Sequence, residues 1–272
     1  MAIQVFCGAV QAEPISSDIV GYQNLDVLNG GKSYVGATFA RIAGGSTTLG
    51  DFGVNENFVP MSDTLTLLDE YGGEDGVFIY LSQELADAYN DGTGFSFVPG
   101  WYDYYAFNDW DGTSTLPSSN AVALYDGEAM MIQSGSDDAA LVSSGAVEKQ
   151  AVELECYANQ KTFLCNASPK TVNFGQITIN EEFVPMSDTL TFLDEYGGEE
   201  SVYIYLSQEL ADAYNDGTGF TFVPGWYDYY AFNDWDGTST LPSANTKQIS
   251  AGSGFMIQTA SEGAAIVIPS AL

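Results

Sequence analysis

The chain has 272 residues, enough for two ordinary domains, and 45% of them are apolar, which supplies filled cores and argues against disorder. Acids number 37 against six bases (Lys32, Arg41, Lys149, Lys161, Lys170 and Lys247), a net charge of −31, which excludes nucleic acid and anionic membrane surfaces as partners because both are held by cationic side chains. Histidine is absent, so Ser-His and Cys-His nucleophilic arrangements are excluded, and no apolar run is long enough to span a membrane.

Residues 1–12, MAIQVFCGAVQA, are apolar and end in a small-residue pattern, Val10-Gln11-Ala12, before Glu13-Pro14. They read as the end of a secretory leader whose charged start lies further upstream; an apolar N-terminal strand is the alternative. Next comes NLDVLNGGKSYVG, from Asn24, with alternating Leu25 and Val27, an Asn29-Gly30-Gly31 turn, then Tyr34 and Val35. This pattern predicts a β-hairpin. GVFIYL, GFSFVP and EAMMIQS are strand-like runs bounded by Gly, Pro, Asn and Asp, and AALVSSGAV adds a further strand. Leu81, Leu85 and Ala88 recur at helical spacing in LSQELADAYN and predict one helix.

FVPGWYDYYAFNDWDGTSTLPS occurs twice, at 97–118 and 222–243. At an offset of 125, residues 58–119 match 183–244 with only six differences, whereas 120–147 keeps 10 of 28 identities. The chain therefore divides into tandem repeats, 13–147 and 148–272, with near-copied centres and divergent flanks. Local gene conversion explains the unevenness, and so does a contact surface shared by both copies. Short strands at close intervals predict an all-β fold of two tandem β-sandwich or jelly-roll-like domains.

SSDIVGYQNLDVLNGGKSYVGATF, with GWYDYYAFNDWDG and the later DGEAMMIQS, resembles secreted, functionally uncharacterised tandem β-domain proteins of verrucomicrobial-type bacteria. The resemblance covers most of the first repeat and, more weakly, the second, where AVELECYA lacks the VGY start. It implies export and β-rich repeats, and carries no activity to transfer.

Three sets of residues are candidate sites. The acid-rich NDWDG loops suit Ca²⁺, a hard cation that takes carboxylate and amide oxygens; the ligands would be Asn108, Asp109 and Asp111, repeated as Asn233, Asp234 and Asp236. Asx turns at strand ends are the alternative. If the aromatic segment is extended, Trp101, Tyr102, Tyr104, Tyr105 and Trp110 fall on both its faces, as do Trp226, Tyr227, Tyr229, Tyr230 and Trp235. One face can fill the core while the other meets a protein or stacks on a polysaccharide; burial of both is the third reading. Cys156 and Cys165 flank the second predicted hairpin turn and read as a disulfide, with a buried thiol pair as the alternative.

No D-[ST]-G loop, G-x-S-x-G motif or P-loop is present, so no enzyme is expected. The expectation is an extracellular or cell-surface structural subunit that assembles with itself head-to-tail into a filament, sheath or surface layer. A carbohydrate-binding surface protein is the alternative.

Overall fold

The computed structural model describes residues 20–42 and 44–271, and the leader-like stretch 1–12 lies outside them. In the first half, strands β1 (Val20–Asp26), β2 (Lys32–Gly36), β3 (Phe52–Val54), β4 (Thr64–Leu68) and β5 (Glu74–Leu81) lead to helix α1 (Gln83–Asn90). Strand β6 (Gly100–Asp103), helix α2 (Tyr104–Asn108), β7 (Ala129–Gln133) and β8 (Ala140–Ala146) complete it. The second half runs β9 (Val152–Glu155), β10 (Gln160–Cys165), β11 (Val172–Asn173), β12 (Thr178–Ile179), β13 (Thr189–Leu193) and β14 (Glu199–Leu206). Helix α3 (Gln208–Asn215), β15 (Gly225–Asp228), α4 (Tyr229–Asn233), β16 (Gln248–Ile249), β17 (Gly254–Thr259) and β18 (Ala265–Ile268) follow.

The all-β expectation holds. Each half builds a five-stranded antiparallel sheet, β2-β7-β4-β5-β6 or β10-β17-β13-β14-β15, and a three-stranded one, β1-β8-β3 or β12-β18-β9. The two separate sandwich domains expected from the repeat are not what forms. The four larger sheets stand like the blades of a four-bladed propeller, and packing runs across the repeat boundary. The core of the second half takes in Ala129, with Leu68 and Tyr125 packed against it, all from the first.

The predicted hairpin is an arch. β1 pairs with β8 and β2 with β7, so the Asn29-Gly30-Gly31 turn carries the chain from one sheet to the other. Alternating apolar residues mark a strand with one buried face; they do not say which strand it pairs with. The same arch recurs between β9 and β10, which separates Cys156 from Cys165. The expected disulfide is absent: both thiols are free and buried, and burial raises each to a pKa of about 12.

Trp101, fully buried, ties the two sheets of the first half together. Its indole N–H donates to the Phe52 carbonyl at 3.1 Å, from β6 in one sheet to β3 in the other. Trp226 does the same with Ile177 at 3.1 Å.

The halves meet around a pseudo-twofold axis. Lys32 N–H donates to Glu195 O, and its counterpart Lys161 N–H to Glu70 O, both at 2.9 Å. Gly36 N–H donates to Gly252 O at 3.0 Å, and Cys165 N–H to Gly127 O at 2.8 Å. Gly36 and Cys165 are equivalent positions that face each other: a Cβ on Gly36 would lie 2.6 Å from Cys165 Sγ and would strike the Glu128 carbonyl. Glycine is required there by close approach.

Candidate functional site

In each near-copied centre, β5 and β6, or β14 and β15, form the end of the five-stranded sheet away from the junction, whereas the turns at Glu70 and Glu195 reach back to it, where their carbonyls accept the Lys161 and Lys32 N–H groups. On the face of β5 and β6 away from Trp101, helix α1 and the following loop enclose a second small core of Ile79, Leu81, Ala86, Phe97, Tyr102 and Phe107. Ser82 caps α1 by accepting the Leu85 N–H at 3.2 Å. GFSFVP, expected as a strand, is irregular: Asn90 holds Phe97 through both main-chain groups (2.7 and 2.8 Å), which turns Phe95 and Phe97 into the small core. The aromatic segment is not extended throughout either. Asp103 accepts the Ala106 N–H at 2.7 Å and starts α2, so β6 ends there.

This geometry sorts the candidate aromatics. Trp101 and Tyr102, with Trp226 and Tyr227, point to opposite faces of β6 and β15, and both faces are buried. The Tyr102 hydroxyl donates to Val98 O at 2.9 Å. Trp110 packs against Phe97 (5.2 Å between centroids) and donates its indole N–H to Ser114 O at 2.6 Å; Trp235 repeats this with Ser239. Trp101 and Trp226 are wholly buried, whereas Trp110 and Trp235 are half-buried with one edge held in the small cores. Tyr104 and Tyr105, and Tyr229 and Tyr230, are exposed; Tyr105 is 54% accessible and Tyr230 53%. Their hydroxyls donate to Glu74 at 3.0 Å and Glu199 at 3.2 Å.

The acids sort in the same way. Asp63 is buried and structural, accepting Val59 N–H at 2.7 Å and the Ser134 hydroxyl at 2.8 Å; Asp188 is its counterpart. Glu74, Glu84, Asp87, Asp91, Asp109 and Asp111 are exposed, as are Glu70 and Asp75 nearer the junction, and the segment 58–119 contains no lysine or arginine. Each pole is therefore an acidic, tyrosine-bearing surface.

The loops considered for Ca²⁺ take the Asx-turn form. Asp111 Oδ1 accepts the N–H (3.0 Å) and hydroxyl (2.7 Å) of Thr113, which holds its carboxyl below the usual range, and Asp236 repeats this with Thr238. Asn108 and Asn233 end α2 and α4, and Asp109 and Asp234 follow as C-caps. Among the described residues, no three or more Cys, Asp or Glu side chains gather as a metal-binding group.

β6 is an edge strand, yet its outward main chain is covered. Trp101 N–H donates to Asn120 Oδ1 at 2.8 Å, and Trp101 O accepts the Ser119 N–H at 2.7 Å. Addition of a foreign strand at this edge is blocked, so a partner would read side chains.

No known protein family, curated protein or solved structure matches the chain. One group is not marked by motif reasoning: Glu128, 8% exposed, beside Tyr125 at the junction. Its signal in the sequence is a break in the repeat, since the equivalent position is Ser253.

Proposed function

We propose that the chain is a non-catalytic structural connector, a subunit of an extracellular filament, sheath or surface layer, whose two equivalent poles engage equivalent surfaces. One observation carries the reading. The exposed differences between residues 58–119 and 183–244 are Asp75/Glu200 and Ser96/Thr221, and both keep the chemistry unchanged. The other four, Leu67/Phe192, Gly76/Ser201, Phe78/Tyr203 and Ser119/Ala244, are buried or half-buried.

The interior changes form a consistent repacking. In the first half, Gly76 leaves room for the Phe78 ring. In the second, Lys247 reaches between Phe192 and Tyr203, donating to the Tyr203 hydroxyl at 2.8 Å and lying 4.6 Å from the Phe192 ring centre. Conversion that copies a whole segment does not spare the surface in particular. A surface held to the same chemistry while the core beneath it drifts is a surface in use.

Direct pole-to-pole contact would set acid against acid, so the joint between copies is made by a cationic partner or by cations. Identical bivalent ends then propagate chains. A carbohydrate-binding surface is the second reading, and burial of Trp101 and Trp226 leaves it the half-buried Trp110 and Trp235 with the exposed tyrosines.

Sedimentation velocity and negative-stain microscopy of the full chain, with and without spermidine as the bridging cation, test the proposal. Extended oligomers are expected with spermidine. A monomer under every condition up to high micromolar concentration overturns it.

A further inference from the structure

The junction is nearly symmetric, yet its two flanks are finished differently, and the asymmetry isolates a single-copy site. On one flank Asn166, fully buried, donates to the carbonyls of Lys170, Ile249 and Ser250 at 2.9, 3.1 and 3.1 Å and seals the gap. Its counterpart on the other flank is Ala37, which reaches nothing comparable, and that flank is an open cleft of about 310 Å³. Phe39, Leu124, Val152 and Ala167 supply apolar walls, and Glu128 lines it where the sealed flank has Ser253.

Glu128 is more than nine-tenths buried, and one hydrogen bond reaches its carboxylate, from the Tyr125 N–H to Oε2 at 2.9 Å. Among the described residues, no lysine or arginine lines the cleft or the recess beside it. The charged and titratable groups described around Glu128 are Tyr125, Asp126, Glu148 and Glu153 along the cleft, Asp75 from β5, and the Tyr157 and Cys165 side chains. All are acids or neutral. Tyr125 and Tyr157 meet edge-to-face, 5.9 Å between ring centres, at the mouth of the recess. A buried carboxylate with no counter-charge among the described residues, beside the Tyr125 ring and an apolar wall, matches an organic ammonium: the charge meets the carboxylate, the body meets the wall, and the ring adds cation–π attraction.

We propose that this cleft binds a small organic cation, a primary ammonium on an aromatic or aliphatic body, with Glu128 as its counter-charge. The cleft lies on one flank of the junction and takes its lining from both halves, while the other flank is sealed by Asn166, so one ligand binds per chain. Burial raises Glu128 to a pKa of about 7, so the carboxylate is mostly neutral below that pH and charged above it. Affinity rises as the pH passes upward through this value.

Isothermal titration calorimetry of the full chain with phenethylammonium, using 2-phenylethanol as the neutral isostere, tests this. At pH 8 one equivalent of phenethylammonium binds and the alcohol binds at least about tenfold more weakly, as does phenethylammonium at pH 5.5. Glu128→Gln lowers affinity at pH 8 by about tenfold or more and abolishes the pH dependence. Equal affinity for the alcohol, a flat pH profile in the unaltered chain, or no binding of phenethylammonium at pH 8 overturns the proposal; the first two need no variant to fold.

Discussion

The poles and the junction are built from the same duplicated sequence and have gone opposite ways. At the poles the exposed residues match but for two conservative exchanges, while buried ones have changed; at the junction equivalent positions differ, Gly36 from Cys165, which face each other, and Ala37 from Asn166 and Glu128 from Ser253, which lie on opposite flanks. Around a twofold axis an identical side chain meets its own copy, so crowded positions there favour unlike pairs; a Cβ on Gly36 has no room because Cys165 fills the space. Solvent imposes no such condition at the poles. Their sameness therefore needs another cause, and the two-ended binding proposed above would supply one.

The comparison can be broken at its structural base first. Trp101→Ala removes the buried ring and the indole bond that joins the two sheets of the first half, and is expected to cost about 3–5 kcal/mol, with Trp226→Ala similar. Chemical denaturation checks both. Phenylalanine at either position, filling most of the space yet losing the hydrogen bond, should fall well short of that loss. If alanine at either tryptophan costs under about 1 kcal/mol, the indole is not the tie between sheets.

Gly36→Ala comes next, at about 1–3 kcal/mol, because the new methyl meets the Glu128 carbonyl and Cys165 Sγ. The loss should show as a lowered denaturation midpoint. An unchanged midpoint would mean that the halves can slide apart at little cost, and the junction would not be a fixed joint.

Glu128→Gln sharpens the same region through pH. The folded-state pKa of Glu128, about 7, lies above its ordinary value of 4.5, so burial penalises the charged form. Its contribution to stability is full below pH 4.5 and is lost as pH rises through 7. The variant should match the unaltered chain at pH 4 and exceed it by about 1–3 kcal/mol at pH 8 in the absence of ligand. Thermal unfolding at the two pH values reads the difference, and a constant offset would show that Glu128 ionises freely.

Much of this was legible before any coordinates. Short apolar runs bounded by turn residues located β5, β7 and β8, and LSQELADAYN located α1, although Leu81 ends β5, Ala88 is exposed and the helix buries Ala86. Pairing was not legible: an Asn-Gly-Gly turn between two alternating strands serves a hairpin and an arch equally, and only the partners β7 and β8 decide. The disulfide expectation failed with the hairpin. The aromatic segment misled because Asp103 caps a helix in its middle, and a five-residue helix leaves almost no periodic trace. In the candidate site, the exposed Tyr104 and Tyr105 and the pole acids were visible as residue types, whereas Trp101 and Tyr102 were buried on both faces of one strand by a second small core that no local pattern announces. Glu128 was hidden because burial of a lone acid depends on the other half of the chain.

The most direct test of the central claim alters one pole only. Tyr104→Ala with Tyr105→Ala changes exposed side chains at one end, and the intact opposite pole still presents Tyr229 and Tyr230. With spermidine present, sedimentation velocity should show the unaltered chain forming extended oligomers, the one-pole variant stopping at pairs, and the variant changed at all four tyrosines remaining single. Oligomers of equal length from all three would contradict the account.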